Sequence, residues 1–260
     1  MSTDLAKEKS FLKDVSIITC PEELDLDYVV LDSSDEAVLI DAAECLAETF
    51  AGTSINGVTV SEPMTNACGL TKEDMLQFVT EYLKNVVDQG FCYVAKDKET
   101  GRVIGTLACE DFNPDEEIPV FEGKLKALNT IIEFLVDIDT RLVNTIKLKT
   151  GSSVAKNEYI HTFMCGVRMK KHSKFVFVRL FQLLTTDSHE KEYKGIFGEA
   201  TNFKSIKLMT DYCGFHPVYD QYNNPIQSIY AEHETFKSIS HDVATDCRML
   251  YRPLSSEYDI

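Results

Sequence analysis

The feature that most constrains this sequence is the way its apolar period switches along the chain. Leu26 to Leu31 alternates and reads as a strand. Behind the N-cap candidates Ser34 and Asp35, the residues Val38, Leu39, Ala42, Ala43, Leu46 and Phe50 recur at helical spacing. After a loop over 51–66, Thr71 opens a second helix as the capping box T-K-E-D, with Asp74 three residues on. Met75, Phe78, Val79, Tyr82, Leu83 and Val86 form its apolar stripe, and Gly90 stops it. Phe91 to Lys96 and Arg102 to Cys109 read as a hairpin about the turn Asp97 to Gly101. A helix over Phe121 to Lys149 follows, then a strand at Tyr159 to Val167 and a helix at Lys174 to Thr185. A strand at Tyr193 to Ala200, a helix at Phe203 to Tyr212 and strands beginning at Phe215 and Cys247 complete the order. Such alternation predicts an α/β fold with helices on both faces of a central sheet. The pattern is too continuous for two domains, so residues 26–260 are expected to form one domain behind a polar lead-in, residues 1–25.

Charge then narrows the partners. A formal net charge of −16 repels nucleic acid and anionic lipid and attracts protonated amines, so no nucleic-acid role is expected. Met1 to Phe11 lacks the apolar core of a signal peptide, and the most apolar run, Phe175 to Leu184, is short and carries Arg179. The expectation is a cytoplasmic protein with no membrane span. The eight cysteines are scattered, with no C-x-x-C and no paired histidine spacing, so free thiols and no metal site are expected. No sequence feature names a protein partner.

Three segments, Gly198 to Phe215, His161 to Val167 and Gly90 to Ala108, resemble the GNAT superfamily of N-acetyltransferases. The clearest is G-E-A-T-N-F-K-S-I-K-L-M-T-D-Y-C-G-F, Gly198 to Phe215, which matches a strand, an Asn-led helix and a closing G-F through Asn202, Ser205, Gly214 and Phe215. H-T-F-M-C-G-V, His161 to Val167, looks like the family's central strand, and Gly90 to Ala108 like its hairpin. S-E-P-M at Ser61 to Met64, after a helix ending in Phe50, resembles the D-E-P-L motif of the arylalkylamine N-acetyltransferase-like branch of insects and nematodes. The loop before Glu62 is longer than that branch usually shows. The helix at 121–149 takes the place of an extra helix in that branch. The resemblance implies a mixed sheet splayed between its two middle strands, with acetyl-CoA as cosubstrate and a small amine, arylalkylamines among the candidates, as acceptor.

Direct acetyl transfer needs a deprotonated amine, a polarised thioester carbonyl and an anchored pyrophosphate. The resemblance assigns the base to Glu62, and a carboxylate beside an apolar pocket suits that task because its pKa rises toward neutrality. It assigns the carbonyl contacts to the backbone of Cys165 and Val167. The phosphate loop, R/Q-x-x-G-x-G/A in the family, aligns with His172, Ser173, Lys174, Phe175, Val176 and Phe177, so both glycines become phenylalanine. Asn202 completes the expected cofactor-binding set. Around the loop, Arg168, Lys170, Lys171, Lys174 and Arg179 make a basic patch suited to phosphate. The tyrosine that often serves as general acid is replaced by Thr210. The remaining histidines form no recognisable constellation. Two readings therefore stand: an N-acetyltransferase for a small amine, and a catalytically impaired GNAT-fold protein with a binding or structural role.

Overall fold

The computed structural model describes residues 24–55, 58–168 and 171–260, so residues 1–23 of the expected lead-in lie outside the described residues. Strand β1 (Leu26–Val30) leads to helix α1 (Glu36–Ala51), where the Asp35 carboxylate accepts the Val38 N–H as its N-cap. The 51–66 loop holds more structure than its composition suggests. It contains a small hairpin of β2 (Thr53–Ile55) and β3 (Val58–Val60), then the one-turn helix α2 (Pro63–Ala67). Helix α3 (Lys72–Val86) starts at the expected Thr71–Asp74 capping box, both of whose reciprocal bonds are present. Strands β4 (Tyr93–Asp97) and β5 (Val103–Asp111) form the expected hairpin. Helix α4 (Leu128–Thr150) is preceded by a 3-10 turn over Gly123–Ala127, so the α-helix begins seven residues after Phe121. Strand β6 (Tyr159–Val167), helix α5 (Ser173–Glu190), strand β7 (Gly195–Ala200) and helix α6 (Phe203–Tyr212) follow in the expected order. The strand expected from Phe215 shrinks to β8 (His216–Pro217). Strand β9 (Gln227–Ile229), which carries no strong alternation, precedes β10 (Asp246–Pro253).

Eight strands form one sheet in the order β1-β4-β5-β6-β7-β10-β8, with β9 also paired to β10. Alternation along the strands, shifted in β6 where the β5–β6 register breaks between Ala108 and Cys109, sends side chains to two separate cores. Val94, Ala108, Met164 and Phe197 pack with α1, α3 and α4 on one face, around Leu39, Leu46, Leu83 and Ile138. Tyr93, Leu107, Ile160 and Ile196 pack with α5 and α6 on the other, around Val176, Leu180, Leu184 and Met209. Cys45, Cys92, Cys109, Cys213 and Cys247 are free thiols inside these layers. No helix among the described residues is long and apolar enough to cross a membrane.

The junction of β6 and β7 positions everything that follows. It is a parallel pair in a sheet whose other pairings are antiparallel. The pairing covers Tyr159↔Gly195, Ile160↔Ile196 and His161↔Phe197 and then stops, although β6 runs on to Val167 and β7 to Ala200. The sheet therefore opens into a wedge toward the C-terminal ends of both strands. At the root of the wedge a Cβ on Gly198 would lie 2.8 Å from the Thr162 carbonyl oxygen. A backbone atom cannot rotate away, so glycine is what allows the two strands to stay this close before they part.

Candidate active site in the wedge

The wedge holds a cavity of about 450 Å³. Its β6 wall carries Thr162, Phe163, Cys165 and Val167, and its β7 wall Gly198 and Glu199, with Thr201 just beyond that strand. The end of α1 supplies Thr49 and Phe50, and α5 supplies Ser173, Phe177 and Phe181. Six of the expected site residues meet there: Glu62, Cys165, Val167, Ser173, Phe177 and Asn202. His172, Lys174 and Phe175 are not on the cavity wall.

Glu62 arrives there because it caps α2. Pro63 fills the first helical position, where no N–H is needed, and the Glu62 side chain turns back so that Oε2 accepts the Thr65 N–H at 2.6 Å. The other oxygen, Oε1, is buried without a hydrogen-bond partner. Burial raises the Glu62 pKa above the usual carboxylate range, against the lowering effect of the Thr65 and Met64 backbone N–H groups. The result is a carboxylate on a cavity wall with one oxygen free to take a proton.

Cys165 and Val167 meet the cavity through backbone as well as side chain. The Arg168 N–H donates to Ile104 O at 2.8 Å, toward β5. N–H directions alternate along a strand, so those of Val167 and Cys165 point to the opposite edge, where β7 has moved away. Donors that would pair with a neighbouring strand are left facing the wedge. Burial pushes the Cys165 thiol well up, so it is no nucleophile at neutral pH.

At the mouth of α5 the picture differs from a glycine loop. His172 is the N-cap residue at φ 66°, a left-handed conformation that usually favours glycine, and its side chain does not cap the helix. Phe177 is buried and packs tilted against Phe181 with ring centroids 4.7 Å apart, forming part of the cavity wall, while Phe175 is half-buried against the neighbouring core. The ammonium of Lys174 sits 3.4 Å from the centre of the Tyr212 ring. Arg168 of the basic patch also has partners of its own. Its guanidinium is held by Asp41, Glu44 and Glu48 of α1 and donates to Val103 O, so it fastens β6 to α1. Lys170 lies outside the described residues. Asn202 spends its side-chain oxygen on the N-cap of α6, accepting the Ser205 N–H at 2.9 Å. Thr210 bonds back to Ile206 O at 2.9 Å within α6.

One constellation escaped the sequence reading. His161 is buried between Glu110 of β5, at 2.9 Å from Nδ1, and Glu199 of β7, at 3.0 Å from Nε2. No short spacing announces it, because its members lie far apart in sequence and meet only through strand order.

No protein-family model and no curated protein matches the sequence. Solved structures do match in shape. A mosquito arylalkylamine N-acetyltransferase-like 5b is 18% identical, with a TM-score of 0.64 over 88% of this chain and 100% of its own. The polyamine N-acetyltransferase of Drosophila melanogaster is 15% identical, with a TM-score of 0.58 over 88% and 100%. The C-terminal condensation domain of Ebony, in complex with beta-alanyl-dopamine, is 16% identical, with a TM-score of 0.65 over 88% and 99%. This chain has the GNAT fold. The opened β6–β7 pair is the splay expected of a GNAT fold, and the wedge cavity lies where that splay parts the sheet. At these identities the likeness establishes the fold, and the chemistry must be argued from the residues that line the GNAT wedge.

Proposed function

We propose that the chain is an N-acetyltransferase that moves an acetyl group directly from acetyl-CoA to a small amine, with Glu62 as the general base. The observation that carries this reading is the Glu62 carboxylate on the wedge wall, buried, raised in pKa and with Oε1 free. A base of that kind takes the ammonium proton, directly or through water, and frees the lone pair for attack. The outward N–H groups of Cys165 and Val167 suit the pantetheine arm and the thioester carbonyl. Asp242 on the same walls favours a cationic acceptor, and Phe50, Phe163 and Phe203 offer it aromatic faces. The names of the structural neighbours, an arylalkylamine and a polyamine N-acetyltransferase, are in keeping with such an acceptor. The reading is tested by the pH dependence of kcat/KM. The base must be ionised, so activity rises with pH along a limb displaced above the ordinary carboxylate range. A limb at the unperturbed glutamate value of about 4.3 would remove Glu62 from the role.

The second reading, a catalytically impaired GNAT-fold protein with a binding or structural role, is favoured by Phe177. Phosphate oxygens must come within about 3 Å of the helix N–H groups, and the Phe177 ring occupies part of the wall beside that helix mouth. Phe177→Ala is expected to cost about 3 kcal/mol of stability by emptying a core position and to tighten acetyl-CoA binding. Chemical denaturation and calorimetric titration measure the two effects. Loss of stability with unchanged affinity would mean that the ring does not obstruct the cosubstrate.

A further inference from the structure

The group around His161 exceeds what either reading of the wedge requires. Four elements contribute to it: Glu110 from β5, Asp139 from α4, His161 from β6 and Glu199 from β7. Tyr82 of α3 and Cys247 of β10 approach from the flanks. The His161 side chain is 6% exposed and that of Glu199 2%. Asp139, His161 and Glu199 each offer an atom within 4.8 Å of the others. Two buried oxygens there, Asp139 Oδ1 and Glu199 Oε1, have no protein donor between them, so only a proton held by one carboxyl or a bound cation can join them. Facing carboxylate oxygens repel unless something positive lies between them.

The imidazole is arranged as a ligand would be. Glu110 accepts at Nδ1, which leaves Nε2 aimed at Glu199. A carboxylate behind a histidine is the outer-shell contact that fixes the tautomer and orientation of a metal-bound imidazole. The ring is walled by Phe112, Phe163 and Phe197, stacking on the last at 5.1 Å between centroids, which keeps the group dry. One imidazole nitrogen and two carboxylates are a donor set suited to divalent first-row transition ions.

We propose that Asp139, His161 and Glu199 bind one divalent first-row transition-metal ion, with Glu110 orienting the imidazole. The ion would staple α4 to both middle strands at the root of the wedge, since His161 is the last β6 residue paired to β7 and Glu199 lies two residues beyond its partner Phe197. The role is structural, and it does not depend on whether the wedge transfers acetyl groups.

The test uses the full chain, stripped with a chelator and titrated with Co²⁺. The expected result is a visible absorption band that saturates at one ion per chain and is displaced by Zn²⁺, with a rise in the thermal transition. Asp139→Asn and Glu199→Gln abolish the band, whereas Glu133→Gln, an exposed acid on the same helix, preserves it. Glu110→Gln keeps all three ligands and weakens binding by about 10- to 100-fold. The wild-type titration decides the matter even if a ligand variant fails to fold. Absence of a saturable band, or a band unchanged in folded ligand variants, overturns the proposal and leaves a shared proton as what closes the gap.

Discussion

Glu62→Gln is expected to lower kcat by a factor on the order of 100 to 10,000, the usual contribution of a general base, while acetyl-CoA affinity stays within about twofold. The amide keeps the shape of the side chain and a carbonyl oxygen for the Thr65 N–H, so the cap on α2 survives. What it loses is the ability to take a proton. The same substitution should raise stability at neutral pH. Burial raises the folded-state pKa of Glu62, so the folded protein prefers the protonated form. The stability this group contributes is therefore fully present below the unfolded carboxylate pKa, about 4.3, and is lost as pH rises through the raised folded value. Glutamine imitates the protonated form at every pH, so the gain in the variant should appear at pH 8 and vanish at pH 4. Denaturation midpoints at both pH values, measured beside kcat, separate a base from a structural acid. Unaltered turnover in a folded variant would place the base elsewhere.

Arg168→Ala is expected to remove about 1–3 kcal/mol of stability, the cost of losing a charged hydrogen-bonding hub whose carboxylate partners stay part-exposed. The Arg168 side chain is 10% exposed and binds Asp41, Glu44 and Glu48 together, so its loss sets three carboxylates of one helix face against each other. Arg168→Lys should recover only part of this, because an ammonium cannot span three acceptors in the guanidinium plane. In variants that remain folded, acetyl-CoA affinity should not change. A drop in affinity without a drop in stability would restore Arg168 to a phosphate-binding role.

How much of this was legible depends on whether the signal was local. The helices with caps and stripes fell where expected, because Asp35, Thr71 and Asn202 each announce a start within three residues. The hairpin about Asp97 to Gly101 and the strands at Tyr159 and Tyr193 were equally local, and strand order around the wedge followed from their resemblance to the GNAT pattern. The segment from 51 to 66 read as loop because its two strands are three residues each and its helix five, too short for any period to register. Glu62 was singled out through a motif, not through its environment. Arg168 leaves the basic patch for a physical reason. Sequence adjacency placed Arg168 beside lysines, whereas the fold turned it toward acids more than a hundred residues earlier, on α1. The His161 cluster was invisible for the converse reason, since Glu110, Asp139, His161 and Glu199 become neighbours only when β6 sits between β5 and β7.

The most direct test of acetyl transfer through Glu62 is to incubate the chain with acetyl-CoA and a panel of arylalkylamines and polyamines, recording free CoA thiol and acetylated amine together by mass spectrometry, with Glu62→Gln in parallel. The wild-type chain is expected to give equimolar CoA and N-acetylated amine for at least one amine, and the variant to lose both products by on the order of 100-fold or more. Folded wild-type protein that releases no CoA and acetylates no amine at saturating acetyl-CoA would contradict that expectation and leave the wedge as a binding cleft.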